Sequence, residues 1–156
     1  PMKISEATFK TCVFTLKVKT GLAPAFHDIT DSVAEFVKQS DLRNAFALVF
    51  SKHTTAAITI QENEPLLLTD MASALERFAP SKAHYRHNDF AVRTVHMHED
   101  ECPNGQSHCQ HLVLGTSETV PVIDGRLALG EFQRIFMVEL DPDKSDRKVL
   151  VQIMGM

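Results

Sequence analysis

Tryptophan is absent from this chain and tyrosine occurs once. No run approaches the ~18–20 consecutive apolar residues that a membrane-spanning helix needs, so no membrane role is expected. Positive charge is not in excess: sixteen Lys and Arg against twenty Asp and Glu leave a net charge of -4. A chain of that sign lacks the basic footprint that tracks phosphate backbones, which argues against a nucleic-acid partner. Six Gly and seven Pro are too few for collagen-like or low-complexity character. No repeat with a period of about 20–50 residues is visible. The start, Pro1-Met2-Lys3-Ile4-Ser5, has no apolar core of a signal peptide; Pro1 ahead of Met2 reads as an expression remnant. Three cysteines, an odd number without a secretion signal, point to free thiols and a reducing, cytoplasmic setting.

What is present is a chain of 156 residues, 44% hydrophobic, which suits one folded domain over residues 1–156 and excludes wholesale disorder. It carries eight histidines, and these are where chemistry is to be sought. Cys12, Phe14, Leu16 and Val18 alternate with a mostly polar set, the pattern of a half-buried strand. Gly21 and Pro24 break it. A helix is predicted from about Asp31 to Gln39-Ser40-Asp41, capped by Thr30 or Asp28, with Val33, Phe36 and Val37 on one side. Ala45–Phe50 reads as a strand buried on both faces, and Thr55–Ile60 as a second strand. Pro65 opens a second helix whose stripe is Leu67, Met71, Ala74, Leu75 and Phe78, ended by Pro80.

Beyond Val92 the helical signal fades. Val92–Val95, Leu112–Leu114, Thr119–Val122, Arg126–Leu129, Ile135–Leu140 and Val149–Met154 all read as strands, with Asp124-Gly125 as a tight hairpin turn. That order predicts an α+β fold: a mostly antiparallel sheet or sandwich with two main helices. The long irregular segment Arg86–Ser107 is polar and rich in histidine, and such loops are often functional.

Neutral imidazole binds divalent transition metals, and its partners need not be close in sequence. His96 and His98 form an H-x-H pair that a strand would place on one face; the competing reading is a solvated pair in a polar loop. His108 and His111 would align on a helix, but Leu112-Val113-Leu114 favours a strand and hence opposite faces. His27 and His84 read as surface histidines. Cys102 and Cys109 are metal ligands, a redox pair or bystanders; without a CxxC spacing, bystanders come first. Gln61-Glu62-Asn63-Glu64 lies between a strand and a proline-initiated helix. A carboxylate there serves as general base, as a partner orienting a ligand histidine, or simply as a helix cap. No phosphate-binding glycine loop or nucleophile elbow is present.

The run His53-Thr54-Thr55-Ala56-Ala57-Ile58-Thr59-Ile60, followed by Glu62-Asn63-Glu64, resembles the signature of the YjbQ-type family, whose members are associated with a secondary thiamine-phosphate synthase activity. Other blocks agree in order. They are Phe26-His27-Asp28-Ile29-Thr30-Asp31, Tyr85-Arg86-His87-Asn88, Asn104-Gly105-Gln106-Ser107-His108 with Gly115, Pro121-Val122, Gly125-Arg126-Leu127, Leu129-Gly130, and Glu139, Asp141 and Arg147-Lys148-Val149. The resemblance spans about residues 10 to 155. It departs at Gly130-Glu131-Phe132-Gln133, where Phe132 stands for the family's usual Trp, and at Pro65-Leu66-Leu67-Leu68, where an acidic residue often follows. His111 replaces what is commonly a small residue.

The resemblance implies an α+β subunit assembled as a homotrimer, with sites near subunit boundaries. It implies a metal site of His53, His87 and His108 for a divalent ion, zinc first, with Glu62 as base or neighbouring carboxylate. By the same resemblance His96 and His98 fall in a variable stretch and recede as candidates. The implied reaction joins hydroxymethylpyrimidine diphosphate to a thiazole phosphate and releases pyrophosphate. Arg147, by resemblance, and Arg86, by adjacency, are candidates for holding the diphosphate. Because three imidazoles suit zinc hydroxide better than magnesium, two alternatives stand. One is a metal-dependent hydrolase or lyase acting on a small phosphorylated or carbonyl substrate. The other is a non-catalytic trimeric binder of a metal or anion.

Overall fold

The computed structural model describes residues 8–156; the Pro1–Ser5 segment read above for a signal lies outside them. Eight strands and three α-helices follow in the order β1 (Lys10–Lys19), β2 (Ala25–Asp28), α1 (Thr30–Ser40), β3 (Asn44–Ser51), β4 (Ala56–Gln61), α2 (Pro65–Phe78), α3 (Gly105–Leu114), β5 (Ser117–Ile123), β6 (Arg126–Leu127), β7 (Arg134–Glu139) and β8 (Asp146–Gly155). A single 3-10 turn, Arg86–Asn88, lies between α2 and α3. The strands form one sheet in the order β1-β8-β3-β5-β6 and another in the order β2-β7-β4. Every pairing is antiparallel. The fold is α+β.

The period-two alternation of side chains sets the layers. Ala47 and Val49 of β3, Val120 and Val122 of β5, and Val149, Val151 and Ile153 of β8 face inward from the larger sheet. They meet Ala56 and Ile58 of β4 and Ile135 and Met137 of β7, with Val33 and Val37 of α1 closing one side. The intervening residues of the smaller sheet, Ala57, Phe136 and Val138, point the other way and pack under Leu75 and Leu68 of α2 and Leu114 of α3. Strand β7 is thus buried on both faces.

Strand β3 is not, contrary to expectation. Ala47 and Val49 are buried, but Phe46 is 42% exposed on the outer face. Helix α1 begins where Asp28 Oδ1 accepts the N–H and hydroxyl of Thr30, and it ends at Asp41 in the left-handed region (φ 58°). Helix α2 follows Pro65 as predicted, and its cap is Glu64, whose carboxylate accepts the N–H groups of Leu66 and Leu67. Of the predicted α2 stripe only Leu75 is buried, and Phe78 is 55% exposed. Asp124 and Gly125 both take positive φ, the hairpin turn expected of Asp-Gly.

Three strand assignments are corrected. Val92–Val95 is irregular loop and not strand, with Arg93 holding the loop together instead of pairing with a neighbour. Leu112–Leu114 is the last turn of α3. There Ser107 donates to the Leu140 carbonyl, and Gln110 donates to the carbonyls of Leu75 and Ala79. Those buried polar anchors at helical spacing outweigh the strand preference of three apolar residues. Arg126–Leu129 pairs only over Arg126–Leu127. The three cysteines are unpaired. No described helix is long and apolar enough to cross a membrane.

Candidate functional site

His53 stands where the chain leaves the larger sheet for the smaller one. The corner is clasped by Ser51, whose buried hydroxyl donates to the Ala56 carbonyl at 2.6 Å and accepts the His53 N–H. Thr116, just ahead of β5, donates to the Ser51 carbonyl. Nε2 of His53 accepts the backbone N–H of Lys148 at 2.8 Å. A neutral imidazole that accepts at Nε2 carries its proton on Nδ1. Burial, and then the Arg147 charge, push the His53 pKa down, with Lys52 and Lys148 adding to the effect and Glu139 opposing it.

Below this corner is a buried ionic floor. Arg147 donates through Nε and Nη2 to both carboxylate oxygens of Glu139, a two-pronged pair, and through Nη2 to the hydroxyl of Thr55. Glu139 is fully buried and also accepts from the Thr20 hydroxyl and the Asp141 N–H. Arg147 is 4% exposed. Its Nη1 makes no hydrogen bond among the described residues, and the side chain lines the cavity above.

The facing wall carries His87 and His108. Helix α3 starts at Gly105, where an added Cβ would lie 2.6 Å from Tyr85 Cβ. Only glycine permits that approach. The Gly105 N–H donates to the Asn88 side chain at 2.9 Å. The Tyr85–Asn88 turn therefore docks on the first turn of α3, and this brings the His87 and His108 rings to 4.7 Å, nearly perpendicular. Burial lowers the pKa of His108, reinforced by His87 and opposed by Asp141. Asn104, just before α3, donates to Asp141 at 2.9 Å, while its own oxygen is buried without a partner.

The third wall is the loop from Asp89 to Pro103. Arg93 donates to the carbonyls of Val95 and His96 and pairs with Glu101 at 3.2 Å, and Glu101 accepts the His98 N–H. His96, at φ 52°, and His98 are thereby turned toward the same space, though on turns and not on a strand.

The three walls enclose a cavity of about 540 Å³. His53, His87, His96, His98 and His108 line it, together with Lys52, Arg93, Lys144 and Arg147; Glu101 is the one carboxylate in the lining. Sequence reasoning named His53, His87, His108 and Arg147, and all four reach this cavity. The receding pair His96 and His98 reaches it too. Lys52, Lys144, Arg93 and Asn104 were missed. Their signal was only proximity to the named histidines and the buried carboxylates.

Two candidates lie elsewhere. Arg86 is exposed on its turn and is absent from the lining. Glu62 faces a separate cleft with Asp28, Asn63, Glu131, Phe132 and Arg134, and the fold of this chain does not bring it to the histidines. In that cleft burial acts to raise the Asp28 pKa, but hydrogen bonds from Arg134, Thr30 and Asn63 prevail and hold it at about 2. His111 shares a helical face with His108 after all, since α3 extends through both. Its Nε2 is buried without a partner, and burial lowers its pKa against the pull of the Ala56 and His53 backbone.

Among the described residues no three His, Cys, Asp or Glu side chains converge as a metal-ligand group. His53 in this orientation also offers an ion no free lone pair, since Nε2 accepts an N–H and Nδ1 carries the proton of the neutral ring. The side chains as they stand do not fit a three-histidine metal centre.

Known proteins agree with this architecture. A solved YbjQ-like protein from Sulfolobus solfataricus superposes with a TM-score of 0.85 at 32% identity, over 96% of this chain and all of that one. A hypothetical protein from Aeropyrum pernix K1 gives a TM-score of 0.76 at 30% identity, over 94% of this chain and 99% of that one. In sequence, a UPF0047 protein of Methanothermobacter thermautotrophicus is 39% identical over 90% of each chain. One of Archaeoglobus fulgidus is 34% identical over 88% of this chain and 97% of its own. The model of the family described as UPF0047 protein YjbQ-like matches residues 14–156, and the chain belongs to that family.

Proposed function

We propose that the histidine cavity binds a phosphorylated small molecule and promotes departure of its phosphate group, in a transfer of the thiamine-phosphate synthase type. The observation that carries this is the lining: four cationic side chains and five imidazoles around about 540 Å³, with a single carboxylate that is itself paired to Arg93. Cations and N–H donors fixed before the reaction are what a leaving pyrophosphate requires. In the proposed reaction the bond from the pyrimidine methylene carbon to the diphosphate oxygen breaks, and its electron pair leaves with pyrophosphate. The thiazole nitrogen supplies the pair of the new carbon–nitrogen bond. No proton moves at the reacting carbon, so the side chains act by binding and by stabilising charge. Lys52, Lys144 and Nη1 of Arg147 would hold phosphate oxygens. His108 and His87 would donate hydrogen bonds to the departing group.

A divalent metal, zinc first, on His53, His87 and His108 is a separate proposal. It requires the His53 ring to turn away from the Lys148 N–H. Metal analysis of tag-free protein and of the three His→Ala variants tests it; near-stoichiometric metal lost in all three would sustain it. Assembly as a homotrimer is proposed on the uncovered apolar side chains of α2 and α3, among them Leu66, Phe78, Leu112 and Val113. A monomer by light scattering at micromolar concentration would overturn it. The free thiols suit a cytoplasmic setting.

The deciding experiment incubates the protein with the two substrates and identifies products by mass. Thiamine phosphate and pyrophosphate in equal amounts, reduced at least about a hundredfold in His108→Ala, support the reading. Pyrophosphate or phosphate release without coupling would favour the hydrolase alternative. Turnover unchanged in His108→Ala would sink the site.

A further inference from the structure

Behind His53 lies a second cavity of about 470 Å³ that shares Lys52, His53 and Arg147 with the first. Its remaining walls come from Lys17, Val18 and Lys19 of β1 and Asp146 and Lys148 of β8. In the β1–β8 register Lys17 stands directly opposite Lys148. Ser51 pairs with Val149, and the Lys52 N–H reaches the Lys148 carbonyl, so Lys52 flanks Lys148 on its other side. Three ammonium groups therefore stand in a row across three neighbouring strands, with Lys19 two residues from Lys17 on the same face. Like charges placed directly opposite on a sheet are destabilising. None of the four lysines forms an ion pair among the described residues.

Protection of a sheet edge accounts for lysines on an edge strand. It covers Lys17 and Lys19, because β1 is the edge. It does not cover Lys148 on β8, which lies between β1 and β3, or Lys52 at the end of β3. Asp146 stands directly opposite Lys19 in the register, so the excess positive charge rests on Lys17, Lys148 and Lys52. Such an excess in a concave wall raises the local concentration of anions. The row is also joined to the histidine cavity, since the backbone N–H of Lys148 is the group that orients His53.

We infer that the lysine groove is a second anion subsite, which holds the phosphate of one substrate while the phosphorylated end of the other lies in the histidine cavity across His53. This rests on the reading of the histidine cavity as a phosphate site. It assigns the protein to substrates that together carry two separated phosphoryl groups.

Amide NMR of the intact protein, titrated with inorganic phosphate and with pyrophosphate, tests this for the wild type and for Lys17→Gln/Lys148→Gln. Lys17→Gln alone is the reserve variant, since that side chain is exposed on an edge strand. Val18 and Lys19 report the groove, and Asn104 and His108 report the cavity. Two sets of resonances should move with separate affinities. The double variant should weaken the groove set about tenfold, the loss expected for two nearby charges in water, and leave the cavity set within about twofold. A groove set that stays still, or moves equally in the variant, overturns the inference and leaves the cavity reading intact. A groove set that moves while the cavity set stays still overturns the pairing through its premise. If neither set moves, both readings fall.

Discussion

The two sides of the histidine cavity are built by different physics. His53 rests on a corner whose hydrogen bonds are buried and whose floor is the ion pair of Arg147 with Glu139. His87, His96, His98 and His108 come from one turn, one helix start and one irregular loop. Sheet register allows the first side little freedom, because a shift of one residue would turn every core side chain outward. The second side is held by a few specific contacts: Gly105 against Tyr85, Asn104 to Asp141, and Arg93 with Glu101. Loss of a contact should therefore unfold the molecule on the floor side and only reshape the site on the wall side.

The largest effect is expected at Glu139. Replacing it by Ala leaves the buried guanidinium of Arg147 without its carboxylate. A cost of about 3–5 kcal/mol is expected in chemical denaturation, with activity lost along with the fold. A loss below about 1 kcal/mol would show that the floor is not the rigid half. Next is Gly105→Ala, whose methyl would meet Tyr85 at less than van der Waals distance. Overpacking of this kind costs about 1–3 kcal/mol. The imidazole resonances of His87 and His108 should shift while those of the β8 amides stay in place. Movement of the β8 amides instead would join the two regions.

Acid should weaken both halves together. The pKa values of His27, His53, His108 and His111 are all lowered, chiefly by burial, from 6.5. As pH falls through 6.5 the unfolded chain takes up protons that the folded chain still refuses. Stability is therefore highest above 6.5 and declines below it. Thermal melting should give a Tm several degrees lower at pH 5 than at pH 7.5; a flat profile would contradict the burial of these rings. The smallest effect is expected at Arg93→Ala. Its side chain and that of Glu101 are 14% and 15% exposed, yet they tie only their own loop. About 1 kcal/mol or less of global stability should be lost. Limited proteolysis should nevertheless open the 93–101 segment, and a loop as resistant as the wild type would refute its role as organiser.

Much of the regular half was legible. Alternation in Cys12–Val18, the proline start of α2 and the Asp-Gly turn each carry their own local physics, and each stands where expected. The motif residues His53, His87 and His108 also converge on one cavity, although 55 residues separate the first from the last. The irregular half was harder to read. Leu112–Leu114 has a strand's composition, and nothing local reveals that Ser107 and Gln110 will find buried carbonyls on Leu140, Leu75 and Ala79. Glu62 lies nine residues after His53, yet β4 carries it along the sheet to a different cleft.

The sequence by itself determined the fold class, the family and the identity of the central histidines, because periodicity, caps, turns and motifs are written in neighbouring residues. Tertiary structure alone decided what surrounds those histidines. Lys52 and Lys148 become neighbours through strand pairing, Arg147 through a carboxylate eight residues away on another sheet, and His53 receives its orientation from a backbone N–H 95 residues distant. Charge, protonation and donor direction depend on such through-space partners, and only a packed chain brings them together.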